Sequence, residues 1–95
     1  MVKPTFSLGQ IVATPGAFEA LLRAGINPLT LLARHAAGDW GAVSPGDARE
    51  NDLAVREGFR VLSAYPLAPP EPEPVVWIIT EADRSATTLL LPEDY

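Results

Sequence analysis

The sequence predicts an α+β domain in which three short helices pack on a three-stranded antiparallel β-meander, preceded by a short N-terminal extended segment. Three observations carry this. Thr14-Pro15, Asn27-Pro28 and Ser44-Pro45 each place a capping oxygen before a proline suited to the first helical position. Gly25, Gly38 and Gly58 follow at helical distances and suit a left-handed stop. After Phe59 the punctuation changes to runs rich in β-branched and aromatic residues, as strands require.

In chain order, residues 8–13 read as the extended segment. The first helix is expected over residues 15–24, with Ala17, Phe18, Leu21 and Leu22 on its apolar face. The second opens at Pro28 with Leu29, Leu32, Ala33 and Ala36 as its apolar face. The third opens at Pro45, with Asp47 set for a capping-box contact to Ser44. Its charges leave only Ala48, Leu53, Ala54 and Val55 to pack, so it should lie on the surface. Alternation over residues 59–67 predicts the first strand. The prolines of residues 68–74 cannot supply ladder N–H groups and predict an exposed, polyproline-like connector. Residues 75–80 and 87–91 then form the central hairpin, apolar on both faces, with Pro92 ending the last strand. No internal repeat is visible, and the 95 residues form one domain with a modest core.

Composition bounds the function. The chain has no cysteine, which excludes disulfides, thiolate metal sites and cysteine nucleophiles. Twelve acidic residues against seven basic ones, with Lys3 the only lysine, give a net charge of −5. No basic stripe is present to release counterions from a phosphate backbone, so direct nucleic-acid binding is disfavoured. Another protein with a basic surface is the expected partner, with a homodimer as a further possibility. The first six residues lack the apolar core of a secretory signal and no apolar run nears the roughly 18 residues that span a bilayer, so a cytoplasmic protein off the membrane is expected.

Few residues can carry chemistry. His35 is the only histidine, and its place near the end of the second helix suits an imidazolium stabilised by the helix dipole. A catalytic triad would have to combine Ser63 or Ser85 with His35 and with Asp39 or Asp83, but neither serine sits in a nucleophile-elbow sequence. Gly38, Gly41 and Gly46 have no lysine to complete a phosphate-cradling loop. No cofactor or metal is expected. The candidate binding residues are Asp39 and Trp40, where an aromatic follows an acid on a loop, and Glu81, Asp83, Arg84 and Ser85 in the hairpin bend. Turn chemistry explains the bend residues, and an acid/base pair with an arginine clamp explains them equally.

Residues 8–17, Ala33-Arg34-His35, Gly38-Asp39-Trp40-Gly41, residues 62–65 and residues 77–88 together resemble a family of small bacterial proteins labelled as plasmid-related or carried on mobile elements, some of them labelled type I restriction enzyme subunit M. The resemblance covers nearly the whole chain and departs mainly at the Pro-Glu connector. It implies an origin on a mobile element and supplies no residue roles. A methyltransferase subunit needs a cofactor-binding domain larger than this chain. The expected function is therefore a small acidic accessory protein that binds and modulates another protein, with a host defence factor as the target the family setting implies. The alternatives are a toxin-type hydrolase or ribonuclease built on His35, Asp39, Glu81, Asp83 and Arg84, and a plain dimerising domain acting through a strand edge.

Overall fold

The computed structural model describes residues 5–95; Met1 to Pro4, part of the stretch read for a leader, lie outside them. The helices form where the caps place them. In α1 (Pro15–Ala24), Thr14 Oγ1 accepts from the Ala17 N–H; in α2 (Pro28–Ala36), Asn27 accepts from Leu29; in α3 (Pro45–Glu57), Ser44 accepts from Asp47. Each satisfies one of the N–H groups a helix start leaves without an intrahelical partner.

The strands are β1 (Gln10–Ala13), β2 (Val61–Pro66), β3 (Val75–Thr80) and β4 (Ala86–Leu90), and a 3-10 turn over Pro92–Asp94 ends the chain. The predicted antiparallel meander is present as β2, β3 and β4. It is not the whole sheet. The N-terminal segment is a fourth strand, paired parallel to β4 with Ile11 beside Thr87 and Ala13 beside Leu89, giving a mixed sheet of order β1-β4-β3-β2. The α+β class holds, and the three-stranded architecture is corrected. The hairpin arms are both interior strands, since β3 lies between β2 and β4 and β4 between β3 and β1.

Strand parity sends Val61, Ser63, Tyr65, Val76, Ile78, Thr80, Thr87 and Leu89 to one face, and all are buried. Ala17 and Leu21 of α1 and Leu31 and Leu32 of α2 complete the larger core with Tyr65, Val76, Ile78 and Leu89. Trp40, Ala54 and Val61 form a smaller core joined by Phe6, Val43, Ala48 and Val55. On the opposite face Tyr95 packs edge-on to Trp77 at 5.8 Å, and the Arg60 guanidinium lies 5.6 Å from the Tyr95 ring centre.

The helix faces differ from expectation. Phe18, Leu22, Leu29 and Leu53 stay in water while Ala17, Leu31, His35, Asn51 and Ala54 are buried. Each apolar stripe is wider than the face the sheet covers, so part of it is left in water. The proline-rich connector is a closed loop, with the Leu67 N–H donating to Pro74 O at 2.8 Å and the Glu71 N–H to Ala68 O at 3.0 Å.

Gly41 lies against the β2 edge in a left-handed conformation (φ 74°), where an added Cβ would stand 2.1 Å from the Ala64 carbonyl oxygen. Only glycine fits that approach.

Candidate functional site

The hydroxyl-bearing residues of the covered face make a buried polar line between the two cores. Thr87 Oγ1 donates to the Leu8 carbonyl at 2.6 Å, Thr80 and Thr87 hydroxyls meet at 2.7 Å, and His35 joins Thr80 through Nε2 at 2.9 Å and Ser63 through Nδ1 at 2.5 Å. Proton counting fixes every direction. A carbonyl only accepts, so the Thr87 proton points to Leu8, and Thr80 must donate to Thr87. Nε2 must then carry the ring proton and donate to Thr80, leaving Nδ1 to accept from Ser63. His35 is thus a neutral Nε2–H imidazole that ties α2 to β2 and β3 and, through Thr80 and Thr87, to Leu8, two residues ahead of β1.

His35, Ser63, Thr80 and Thr87 are all 0% exposed. Burial first, and the nearby Arg84 charge second, push the His35 pKa from 6.5 down to about 4. The expectation of a dipole-stabilised imidazolium is therefore corrected: desolvation outweighs the helix end. The pair that a triad would use, Ser63 and His35, is present but sealed, and the second ring nitrogen faces a threonine rather than a carboxylate.

The hairpin-bend residues take up distinct positions. Arg84, held at φ 61°, donates from Nη1 to Phe59 O at 2.7 Å and Glu81 O at 3.1 Å, and from Nη2 to Ala54 O at 3.0 Å. Its guanidinium thereby sits at the C-terminal end of α3, where a cation is favoured, adding to the Gly58 and Phe59 N–H bonds that Ala54 O already accepts. The Ser85 N–H donates to the Asp83 carboxylate at 3.0 Å, and bonds from Ser85 hold the Asp83 carboxyl below its ordinary range. The Glu81 side chain is exposed.

Asp39 and Trp40 sit at the β2 edge. Asp39 accepts from Arg34 Nε at 2.7 Å, and this contact, the largest cause, lowers its carboxyl pKa. Trp40, a candidate binding residue, instead covers the smaller core at 6% exposed and donates from Nε1 to Asp52 at 3.0 Å. The hydroxyl of Tyr65 donates to the Asp39 carbonyl at 2.7 Å, and burial pushes this phenol up to about 12. Arg84 and Trp40 are not in contact as one group; the Phe6 ring lies between them, 5.3 Å from the guanidinium and 6.1 Å from the indole.

Arg84 has a second consequence. Two of the three residues whose carbonyls it holds, Ala54 and Phe59, line an open groove of ≈ 490 Å³ between α3 and β2. Asp47 and Glu50 of α3 and Arg60 also line it, and Leu53 and Phe59 stand 41% and 56% exposed. Sequence reading did not find this groove. Its signal was Leu53 within α3 and Phe59 just beyond it, two large apolar residues on and after a helix with few apolar neighbours to bury them.

Replacing Arg84 by alanine removes three charge-assisted bonds, with an expected cost of about 2 kcal/mol. Urea unfolding measures that loss, and amide exchange should quicken specifically at the end of α3.

Among the described residues no group of three His, Asp or Glu side chains could hold a metal, and no helix is long and apolar enough to cross a membrane. No family model, curated protein or solved structure matches the chain.

Proposed function

We propose that this is a non-catalytic accessory protein that binds and modulates another protein, taking a basic segment with an apolar anchor into the groove between α3 and β2. One observation carries the reading: Leu53 and Phe59 stay in water beside the carboxylates of Asp47 and Glu50, neither of which has an ion-pair partner among the described residues. With two unpaired carboxylates against one guanidinium, Arg60, which lies by the Tyr95 ring, the anchor's surroundings are net acidic and fit a basic partner, the anchor giving affinity and the charge giving orientation. The groove wall is stiff, since Asn51 holds both backbone groups of Leu62 and Arg84 holds Phe59.

The hydrolase alternative requires His35 to meet a substrate, and the closed surroundings of its ring favour the binding reading. An origin on a mobile element and a host defence factor as target belong to the same proposal and rest on the family resemblance alone.

Fluorescence anisotropy with a labelled amphipathic helix bearing lysines on one face and leucines on the other tests the groove. The expected result is saturable binding that Phe59→Ala weakens about tenfold or more, a loss of roughly 1.4 kcal/mol, with Glu50→Lys weakening it further at low salt. Equal binding by wild type and both variants would exclude the groove as the site.

A further inference from the structure

The two edges of the sheet are finished in different ways. Along β2, the Asn51 carboxamide donates to Leu62 O at 2.7 Å and accepts from the Leu62 N–H at 3.2 Å. The Ala64 N–H donates to Trp40 O at 3.1 Å, and Ala64 O accepts from the Ala42 N–H at 2.7 Å. That edge is closed. Along β1, the Gln10 N–H donates to Ser85 O and the Thr14 N–H to Leu89 O, so the alternate backbone groups of Ile11 and Ala13 point away from β4. Among the described residues nothing pairs with them. All four residues of β1 are exposed, Ile11 at 46% and Val12 at 45%. The strand carries none of the charges, prolines or bulges by which edges are guarded.

We propose that β1 pairs antiparallel with β1 of a second copy of this chain, about a two-fold axis passing between the two Val12 residues, so that the two sheets become one. The register is self-complementary. Ile11 lies opposite Ala13 of the second copy, large against small, and each such pair exchanges both of its free N–H and C=O groups. Val12 faces its own counterpart in the position without hydrogen bonds, where side chains come closest. Charge selects a like copy here. The chain is acidic overall, yet Gln10, Ile11, Val12 and Ala13 are uncharged, and the exposed face of α1 offers Phe18 and Leu22 with Glu19 neutralised by Arg23. Two such surfaces meet without repulsion. Because α1 packs on β4, the strand beside β1, the same axis brings the two α1 helices side by side. The closed β2 edge bars head-to-tail pairing of β1 with β2, so association stops at the dimer.

The pairing is independent of the groove between α3 and β2, and the experiment separates the two. Sedimentation equilibrium of the full chain should show twice the 10.2 kDa chain mass at micromolar concentration. Val12→Lys should weaken association about tenfold or more, while Phe59→Ala leaves it unchanged. Since the chain has no cysteine, Val12→Cys provides a second readout: it should oxidise in air to a covalent dimer, because opposed residues in this position lie about 4.5 Å apart at Cα, within disulfide reach. Leu29→Cys, more exposed but away from the axis, should stay monomeric under the same oxidation. A wild type that remains monomeric, a dimer abolished by Phe59→Ala but not by Val12→Lys, or equal cross-linking at both positions would overturn the proposal.

Discussion

His35→Ala is expected to destabilise the protein by about 3 to 5 kcal/mol, a large share of the stability of a domain this size. Two losses combine. The ring occupies a fully buried position, so its removal leaves a cavity, and Ser63 then has a buried hydroxyl with no acceptor. Among the described residues no buried side-chain polar atom lacks a partner, so the variant would introduce a defect the native interior does not contain. Urea unfolding at neutral pH measures the cost.

The same residue sets the acid response. Its pKa falls from 6.5 unfolded to about 4 folded, so the fold favours the neutral ring. The stability this confers is complete above pH 6.5 and is lost as pH falls from there to about 4, because the unfolded chain binds the proton first. The difference amounts to about 3 kcal/mol at roughly 1.4 kcal/mol per pH unit. The depressed carboxyls of Asp39, Asp83 and Asp94 act in a separate window, since their contribution disappears only as pH falls below the ordinary 3.8. Wild-type stability should therefore decline from pH 6.5 toward 4 while His35→Ala stays nearly level there.

Gly41→Ala should cost about 3 kcal/mol or more, against about 1 kcal/mol for Gly25→Ala. Both glycines are left-handed, at φ 74° and 68°, so conformational strain is common to both. They differ in what a Cβ meets. At Gly25 nothing lies within 4 Å, whereas at Gly41 the Ala64 carbonyl oxygen would be 2.1 Å away and Tyr65 Cδ1 2.8 Å. Relief would require the chain to leave the β2 edge, breaking the backbone bonds of Ala42 and Trp40 with Ala64. Equal urea midpoints for the two variants would show that the edge closure contributes nothing.

The sequence made some of this structure legible. Thr14, Asn27 and Ser44 announce their helices because a cap and its proline act within a few residues of each other. The parallel pairing of β1 with β4 left no such mark, since Ile11 and Thr87 are distant in the chain and an extended segment does not declare which edge it joins. Helix α1 is apolar at Ala17, Phe18, Leu21 and Leu22, a stripe wide enough that periodicity does not decide which side is buried. The hydroxyl line had a signal that went unused. Ser63, Thr80 and Thr87 each share strand parity with buried residues, and three inward hydroxyls call for a buried partner such as a lone histidine. Arg84 attracted notice as part of a polar bend, but its bonds reach Ala54 and Phe59, contacts that only the folded chain creates.

The single histidine is a structural, neutral link inside the sheet, joining α2 to Ser63 of β2 and Thr80 of β3. Long-range proton–nitrogen NMR of the His35 ring, followed from neutral to acid pH, tests this most directly. The expected spectrum shows the proton on Nε2, a bare Nδ1, and no titration until pH approaches about 4. A ring that titrates near 6.5, or one protonated on Nδ1 at neutral pH, would contradict it.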